Sequence, residues 1–410
     1  MASKKKKVEE VEEVEKDVFG DLKTSIMKNV KGVHVSVLSE SPIASNRFWI
    51  KTPSLDLNRI LSGSLYKGIQ SRNLVGIIGP EHTMKSSFMV LCMAEAQKQG
   101  YKPIIIDTEG GVDVPFCKRW GLDTDNILYI YTPWIHEVKS TIAQIRESGE
   151  EGFVIGLDSV GGLERYKAYE DALGGTPKGD QGLLAKEIRG MLKLLLNICI
   201  AQNSIGIVCG HYYGSPGLIP MPDQVGGGKA MKLFPSILIS LRKKNLLNSE
   251  KEVIGNEIRA LTLKNRKYPP FQTALVEIDY QNGVKSCAGL LDIGVEAGVI
   301  DQKGSWYSYG NERLGQGSIK AMKSLENNQK CLDDIDNWLK DTGYSKIDEE
   351  IREAEELVDS IEVKIEDIDK EVKIEVVEDK GKDEKKVVAK KKVVAKKKVL
   401  AKKKVVVKKK

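Results

Sequence analysis

The chain is organised around residues 74–88, which read LVGIIGPEHTMKSSF. An apolar run ends at Gly79 and the sequence resumes with Lys85 and two serines, which is the pattern of a buried strand, a loop and a helix. The spacing is that of G-x-x-x-x-G-K-[ST], except that Met84 stands where the second glycine is expected. The stretch therefore predicts a phosphate-binding loop, with an ordinary strand-to-helix turn as the alternative.

Such a loop has physical requirements that this stretch can meet. A polyphosphate needs several backbone N–H donors, a helix N-terminus and one ammonium within reach. Lys85 is expected to reach the β- and γ-phosphates of ATP, and the Ser86 hydroxyl to coordinate Mg²⁺. The predicted nucleotide-binding residues of the loop are Gly79, Pro80, Glu81, His82, Thr83, Met84, Lys85, Ser86 and Ser87.

The composition is that of a globular protein with unusual ends. A chain of 410 residues, of which 41% are hydrophobic, can hold two or three domains with sizeable cores. The six cysteines are scattered without a C-x-x-C pair, which predicts reduced thiols, no zinc site and a cytoplasmic protein. No apolar run approaches membrane-spanning length and the N-terminus lacks the apolar segment of a signal peptide, so no membrane partner is expected.

The charges are segregated along the chain. Residues 385–410 contain 14 lysines and no acid, so the formal net charge of +6 becomes −8 for residues 1–384. Residues 348–384 carry 17 acidic against 6 basic side chains, and such blocks bury too little apolar surface to fold. The lysine-rich tail predicts salt-sensitive binding to nucleic acid, with a membrane surface or an acidic partner as alternatives. The acidic block could compete for these lysines.

Between its ends the chain alternates strands and helices, which predicts an α/β fold. The predicted strands, at 102–107, 127–131, 153–157 and 205–209, are separated by helical stretches, as in a mainly parallel sheet with helices on both faces. Three later strands, at 236–241, 258–263 and 273–280, follow one another without helices and predict an antiparallel extension.

Five segments follow from these patterns. Apolar positions between Val8 and Val30 recur at three- and four-residue intervals and predict a helix, and residues 33–38 resemble a strand. This helix is expected either to pack on its own core or to dock on a neighbouring subunit as an oligomerisation arm. The segments are the N-terminal helix and strand at 1–45, the ATPase core at 46–285, a small α+β domain at 286–343, an acidic low-complexity segment at 344–384 and a disordered basic tail at 385–410.

Two carboxylates are placed to act on a nucleotide. Asp158 ends the strand at 153–157, where open α/β sheets bind their ligands, and is expected to hold Mg²⁺ through water opposite Ser86. Glu109 lies just past the strand at 102–107 and can polarise the water that attacks the γ-phosphate. The alternatives are a capping aspartate and a solvated loop glutamate.

Several motifs together resemble one family. Residues 107–113 read DTEGGVD, 158–159 read DS, 225–232 read VGGGKAMK, 264–267 read KNRK and 304–309 read GSWYSY. With the phosphate loop, their order and approximate spacing from about residue 45 to 330 resemble RecA-type recombinases. The phosphate loop is similar to that of the bacteriophage UvsX-like branch, which has a bulky residue at the position of Met84, whereas residues 304–317 are more similar to bacterial RecA.

The resemblance implies roles around the nucleotide. Glu109 falls on the water-activating glutamate of the family, and Asp113 and Phe116 fall on its adenine site, where the ring would stack on the base. His211, at the end of a strand, falls on the residue that senses the γ-phosphate, where phage members are similar in having histidine. A buried structural histidine is the alternative.

A second implied element comes from the neighbouring subunit. Lys264 and Arg266 match the paired cations that family members place against the γ-phosphate held by the adjacent subunit. Cations supplied across an interface would make hydrolysis depend on assembly. A solvated basic strand end is the alternative for both residues.

Two glycine-rich stretches, at 167–181 and 212–228, match the DNA-binding loops of the family in position. Neither shows a helical or strand period, and long loops in compact domains are usually functional. A protein that binds single-stranded DNA needs cations for the backbone and aromatic rings on which bases can stack. The alternative is that these two stretches are lids over the nucleotide. The predicted DNA-binding residues are Lys167, Lys178, Tyr212, Tyr213, Lys229 and Lys232.

The sequence therefore predicts an ATP- and Mg²⁺-dependent recombinase. It would form a helical filament on single-stranded DNA, pair it with double-stranded DNA and exchange strands, with single-strand-binding and loader proteins as further partners. The host cytoplasm is its expected location if it is viral. The alternatives are a hexameric helicase-type motor on the same fold, or a DNA-coating protein that binds ATP without hydrolysing it because Met84 impairs the loop.

Overall fold

A computed structural model describes residues 19–45, 47–175, 182–213, 224–225, 228–247 and 250–341. Within these ranges no helix combines the length and the apolar character needed to cross a lipid bilayer. The predicted acidic segment at 344–384, the basic tail at 385–410 and Lys178 lie outside them.

The described strands fall into one large sheet and two small ones. They are β1 (Trp49–Ile50), β2 (Ile69–Gln70), β3 (Asn73–Gly79), β4 (Lys102–Asp107), β5 (Leu128–Tyr131), β6 (Phe153–Asp158), β7 (Ile205–Tyr213), β8 (Gln224–Val225), β9 (Ile237–Leu247), β10 (Val253–Asn265), β11 (Thr273–Asp279), β12 (Gly283–Lys285), β13 (Asp301–Lys303), β14 (Trp306–Tyr309) and β15 (Glu312–Gln316). The large sheet has the order β12-β11-β10-β9-β3-β7-β6-β4-β5, with β8 paired to β7.

The predicted α/β fold is confirmed. Strands β9, β3, β7, β6, β4 and β5 pair in parallel, and β9 to β12 form the predicted antiparallel extension. The α-helices are Gly20–Asn29, Pro42–Ser45, Leu55–Ser62, Lys85–Lys98, Val114–Arg119, Ile135–Glu147, Tyr166–Leu173, Leu183–Ala201, Lys229–Leu233, Leu290–Glu296, Ser318–Glu326 and residues 329–341. Short 3-10 turns lie at Leu38–Glu40, Thr124–Asn126 and Val160–Gly162.

The sheet is buried on both faces because its strands are apolar at successive positions. In β3, Val75 and Ile77 belong to the core that also contains the helix Lys85–Lys98. Leu74 and Ile78 point to the opposite face and belong to the core beneath the helices Ile135–Glu147 and Leu183–Ala201. This alternation follows from the two-residue period of a strand, and the phosphate-loop strand lies in the interior of the sheet, between β9 and β7.

The parallel register brings the ends of four strands together at one edge. Gly79 at the end of β3 lies opposite His211 of β7. Asp107 at the end of β4 lies opposite Asp158 at the end of β6. Because parallel strands end at the same edge of a sheet, residues far apart in sequence meet where such folds bind ligands.

A small mixed domain follows the large sheet. Strands β13, β14 and β15 form an antiparallel sheet, and the helices after residue 290 pack on it around a separate core that includes Ile335 and Leu65. Asp336 connects this domain to the chain before β2, since its Oδ1 accepts hydrogen bonds from the Ser64 hydroxyl at 2.8 Å and the Leu65 amide at 2.6 Å. The sequence predicted a domain of this type.

Of the predicted N-terminal helix, the positions from Val8 to Val18 lie outside the described residues, and the predicted strand at 33–38 is wrong. The described part, the helix Gly20–Asn29, has no buried residue, with Leu22 57% and Met27 58% exposed. Residues 33–38 form no strand in the described chain, because no partner strand lies beside them there. An apolar helix face left in solvent is consistent with the alternative of an arm for a neighbouring subunit.

Both predicted DNA loops contain regular structure that the sequence did not reveal. The first contains most of the helix Tyr166–Leu173, in which Tyr166 and Tyr169 pack against Trp134 with ring centroids 5.2 and 5.5 Å away. At the second, β7 extends to Tyr213 and pairs with β8. The helix is only about two turns long, so the sequence contains too few repeats of its apolar and aromatic positions to show a helical period.

Candidate functional site

The phosphate loop keeps the backbone geometry that the missing glycine would provide. Met84 has φ 65° and ψ 32°, the left-handed conformation that glycine adopts at least cost. It immediately precedes the helix Lys85–Lys98, and its side chain packs against the core beneath that helix. Methionine at this position therefore leaves the turn into the helix intact.

The strand residue Gly79 has no room for a side chain. A Cβ atom there would lie 2.6 Å from Thr83 Oγ1 and 2.8 Å from the carbonyl oxygen of Leu241 on β9. The Thr83 hydroxyl also donates a hydrogen bond to the Pro80 carbonyl at 2.8 Å. These contacts fold the loop back over the end of β3, which aims the helix N-terminus into the cleft.

The ammonium of Lys85 lies inside this loop. Its Nζ donates a hydrogen bond to the Pro80 carbonyl at 2.8 Å, and the residue is only 7% exposed. Burial lowers the pKa of Lys85, while nearby acidic groups that include Asp158 and Glu109 oppose the shift. An ammonium group held in this position can bind the negatively charged oxygens of a polyphosphate.

Ser86 and Asp158, the predicted metal ligands, both line one cleft at the edge of the sheet. Burial raises the pKa of Asp158 above its usual value, and the nearby Ser86 opposes this shift. A hydroxyl and a carboxylate are oxygen ligands of the kind that Mg²⁺ prefers. The donor chemistry of this pair therefore fits Mg²⁺.

A cleft of about 620 Å³ surrounds these groups, within the range of ligand pockets. Its size, its helix N-terminus and its buried cation fit a nucleotide. The cleft is lined by Glu81, His82, Thr83, Met84, Lys85, Ser86, Ser87, Glu109, Gly111, Phe116, Asp158, His211 and Lys243.

The predicted base Glu109 is held by groups from two strands. Ser159 Oγ donates a hydrogen bond to Glu109 Oε1, and His211 Nε2 lies 3.4 Å from the same oxygen. The side chain is 41% exposed, so water can reach it. Glu109 thus combines a fixed carboxylate with solvent access, as a general base requires.

Asp107, which the sequence analysis did not single out, shapes the loop that carries Glu109. Its Oδ1 accepts hydrogen bonds from the amides of Glu109 at 3.0 Å and Gly110 at 2.8 Å. Its Oδ2 accepts from the Val112 amide and the Tyr129 hydroxyl, each at 3.0 Å. An aspartate whose side chain accepts a hydrogen bond from the amide two residues later is a common turn pattern, and this pattern could have identified Asp107 from the sequence.

His211 reaches the cleft from the end of β7. Besides its contact with Glu109, its ring has a buried Nδ1 with no hydrogen-bond partner among the described residues. The residue also lines the cleft. The predicted sensor therefore lies in the cleft, next to the predicted base.

Of the two predicted adenine-site residues, only Phe116 lines the cleft. Asp113 is not among the lining residues; it is the N-cap of the helix Val114–Arg119, and its carboxylate accepts a hydrogen bond from the Phe116 amide at 2.7 Å. In this arrangement the aspartate orients the phenylalanine through the cap, and the predicted contact of Asp113 with the base stays a prediction.

Lys264 and Arg266 do not line the cleft of their own chain. The Lys264 ammonium donates to the Lys232 and Leu233 carbonyls at 3.1 and 2.8 Å, and Arg266 is exposed. Their predicted role concerns a neighbouring subunit, and nothing within one chain tests it.

The predicted DNA-binding residues are dispersed. Lys167 pairs with Glu170 at 3.4 Å and Asp171 at 3.1 Å, so its charge is partly neutralised. Tyr212 pairs with Val225 across the β7 and β8 strands. Tyr213 ends β7, and Lys229 and Lys232 lie on the helix Lys229–Leu233. Their contacts with DNA stay predictions.

Lys243 lines the cleft although the sequence analysis did not assign it a role. It lies on β9, which continues past the end of β3 and so runs alongside the phosphate loop. The basic run Arg242-Lys-Lys244 after an apolar strand was the available signal.

Comparisons with known proteins agree with this geometry. The model of the RecA N-terminal domain matches residues 11–285, and that of the RecA C-terminal domain matches residues 288–344. The chain is 32% identical to Protein RecA of Sulfurovum sp. (strain NBC37-1) over 305 residues, covering 73% of this chain and 84% of that protein. It is 33% identical to Protein RecA of Oleidesulfovibrio alaskensis over 277 residues, covering 66% and 77%.

A third relative, Protein RecA of Caulobacter vibrioides, is 30% identical over 307 residues, covering 74% of this chain and 83% of that protein. These relatives are bacterial, and the predicted bacteriophage UvsX-like branch stays a prediction. The two domain models and the relatives together show that the chain belongs to the family of RecA-type recombinases.

Proposed function

We propose that this protein is an ATP-dependent recombinase that polymerises on single-stranded DNA, pairs it with a homologous duplex and exchanges strands. The observation that carries the proposal is the convergence of Lys85, Ser86, Asp158 and Glu109 in one cleft at the edge of the parallel sheet. Membership of the RecA family supports the same reading.

In this proposal each group in the cleft has its own task. ATP with Mg²⁺, when bound, would supply the γ-phosphoryl group for transfer to water. Lys85 and the amides of the phosphate loop would bind the phosphates, and Ser86 and Asp158 would hold the metal. Glu109 takes a proton from the water, and His211 beside it responds to the γ-phosphate.

Assembly would complete this site. Lys264 and Arg266 of one subunit would approach the γ-phosphate bound by the next, so that hydrolysis requires contact between subunits. The exposed apolar residues of the helix Gly20–Asn29 support an arm that docks on a neighbour. A head-to-tail contact that does not close generates a helical filament.

DNA would be bound along the filament by residues after β6 and from the end of β7 onward. The proposed contacts are Tyr212, Tyr213, Lys229 and Lys232, with Lys167 and Lys178 as further cations. The lysine-rich tail at 385–410 would add sequence-independent, salt-sensitive attraction to phosphates. We further propose a bacteriophage origin, with single-strand-binding and loader proteins as partners, from the resemblance at Met84 and His211.

The test is ATP hydrolysis with and without single-stranded DNA, together with strand exchange between a circular single strand and a homologous linear duplex. Lys85→Ala and Glu109→Gln are expected to abolish both activities. Lys98→Ala and Glu147→Gln, exposed substitutions of the same types outside the cleft, are matched controls expected to keep them.

Electron microscopy with DNA distinguishes the main alternative. Open helical filaments support the proposal, whereas closed rings would indicate a helicase-type motor on the same fold. Turnover that single strands do not stimulate would contradict the proposed coupling of assembly to hydrolysis.

A further inference from the structure

Ser159 makes a buried contact with the predicted base. It directly follows Asp158 at the end of β6 and is 1% exposed. Its Oγ is hydrogen-bonded to Glu109 Oε1 and lies 3.0 Å from the amide nitrogen of Gly161. No role follows for Ser159 from the nucleotide or the metal, so its position beside Glu109 needs another explanation.

The direction of these two hydrogen bonds is fixed by chemistry. The amide of Gly161 can only donate, so the Ser159 oxygen accepts there and its single proton is left for Glu109. An ionised carboxylate can only accept. The serine hydroxyl therefore donates to Glu109 Oε1, and the turn Val160–Gly162 orients that donor.

The backbone around Ser159 is locked to the loop of Glu109. The Ser159 amide donates to Thr108 Oγ1 at 2.9 Å, and the Thr108 hydroxyl donates to the Ser159 carbonyl at 2.7 Å. A Cβ atom at Gly162 would lie 2.8 Å from Glu109 Cγ, so the turn packs directly on the glutamate side chain. The hydroxyl of Ser159 is thus held at a fixed place relative to Glu109.

The two oxygens of Glu109 are used differently as a result. Oε1 accepts the hydrogen bond from the Ser159 hydroxyl and lies 3.4 Å from His211 Nε2. Among the described residues no hydrogen bond is formed with Oε2, and the side chain is 41% exposed. Oε2 is therefore the oxygen left to accept a hydrogen bond from water.

We propose that Ser159 is a positioning residue that fixes the Glu109 carboxylate so that Oε2 meets the attacking water. This inference rests on the proposed function, in which Glu109 is the base. Without the hydroxyl the carboxylate can rotate about its last two side-chain bonds, and a misplaced base loses much of its effect.

The test compares Ser159→Ala with Ser159→Thr, which keeps the hydroxyl. Ser159→Ala is expected to lower kcat for DNA-stimulated ATP hydrolysis about tenfold, with KM for ATP unchanged because Ser159 does not line the nucleotide cleft. Ser159→Thr is expected to restore most of the rate. Ser140→Ala, which removes an exposed hydroxyl bonded to the His136 carbonyl, is the matched control expected to change neither constant.

A double substitution separates positioning from a structural role. Glu109→Gln is expected to remove the stimulated activity, so any trace of hydrolysis measured with excess enzyme in that background should be the same with Ser159 and with Ser159→Ala, because the effect of Ser159 acts through the carboxylate. A further loss in that background, or a threonine variant as slow as the alanine variant, would overturn the inference. If Ser159→Ala does not fold, Ser159→Cys replaces it, and a cysteine variant as fast as the threonine variant overturns it.

The outcome also separates this inference from the proposed function. If Glu109→Gln hydrolyses ATP normally, Glu109 is not the base and the proposed function fails at that residue. If Glu109→Gln is inactive while Ser159→Ala is fully active, only the positioning role is wrong.

Discussion

Lys264 caps the last turn of the helix Lys229–Leu233, with its Nζ 2.8 Å from the carbonyl oxygen of Leu233. A cation at a helix C-terminus interacts favourably with the partial negative charge of the exposed carbonyls. Burial lowers the pKa of Lys264, and the nearby Arg266 lowers it further. To act on a nucleotide held by a neighbour, as we propose, this ammonium must exchange its carbonyl partners for phosphate.

The first prediction concerns that exchange. Lys264→Ala should lower DNA-stimulated ATP hydrolysis by at least about a hundredfold, since cations supplied to the transition state contribute factors of this size or more. Nucleotide binding by the isolated chain should stay unchanged, because Lys264 does not line the cleft. Hydrolysis rates and the equilibrium binding of a fluorescent ATP analogue measure the two effects.

Lys267→Ala, which removes an exposed cation three residues away, is the control and should keep the activity. Equal losses in both variants would indicate a general electrostatic effect. Normal hydrolysis by Lys264→Ala would contradict the role across the subunit interface.

A second prediction follows from the burial of Asp158, which raises its pKa above 3.8. When folding raises the pKa of a carboxyl group, the folded protein is relatively most stable at a pH below the pKa of the unfolded chain, which is near 3.8 for aspartate. This stabilisation is lost as the pH rises through the pKa of the folded state, because the buried group must then ionise. Ionised Asp158 therefore costs stability at pH 7. Asp158→Asn should raise the unfolding free energy of the nucleotide-free protein by about 1 kcal/mol and abolish Mg²⁺-dependent hydrolysis.

Calorimetry at pH 7 and at mildly acidic pH measures this effect. The gain from Asp158→Asn should shrink as the pH falls, since the native carboxyl then becomes protonated and loses its penalty. A variant that melts below the native protein at pH 7 would show that the favourable interactions of the Asp158 carboxylate, with Ser86 and Lys85, outweigh the cost of its burial.

A third prediction uses the left-handed backbone of Met84. Substitution by alanine or by glycine removes the same packing against the core, but only glycine adopts this conformation without strain. Met84→Gly should therefore be more stable than Met84→Ala by about 1 kcal/mol, the reverse of the usual order at helix positions. Urea unfolding of the two variants measures the difference, and an alanine variant of equal or higher stability would contradict it.

The sequence predicted those parts of the site that depend on local order. Lys85 and Ser86 come from one strand–loop–helix unit, and Asp158 ends an apolar strand, so spacing and polarity were sufficient to predict that these side chains lie together in one cleft. The parallel sheet then required their strand ends to meet.

The remaining groups depend on contacts between distant segments. Ser159 meets Glu109 across 50 residues, and the Lys264 ammonium bonds carbonyls that are 31 and 32 residues away. The helix Tyr166–Leu173 is stabilised by Trp134 on another element, which no local period reveals. Tertiary packing decided these features, so propensity and pattern alone could not supply them.

The last prediction concerns Lys243, whose side chain lines the outer wall of the nucleotide cleft. Its ammonium is exposed, so its attraction to nucleotide phosphates is screened and should contribute about 1 kcal/mol, or about a fivefold change in affinity. Lys243→Ala should weaken equilibrium binding of a fluorescent ATP analogue by that factor. At about 1 M salt, where the Debye length is about 3 Å, native and variant affinities should converge.

Lys244 provides the matched control, because successive side chains of a strand point to opposite faces and Lys244 does not line the cleft. Lys244→Ala should bind the analogue as the native protein does. Equal losses of affinity from both substitutions would mean that β9 acts through its overall charge. A loss of affinity in Lys243→Ala that persists at high salt would mean that the lysine acts by packing against the phosphate loop. A loss confined to Lys243 and removed by salt is the result that assigns its charge to the nucleotide.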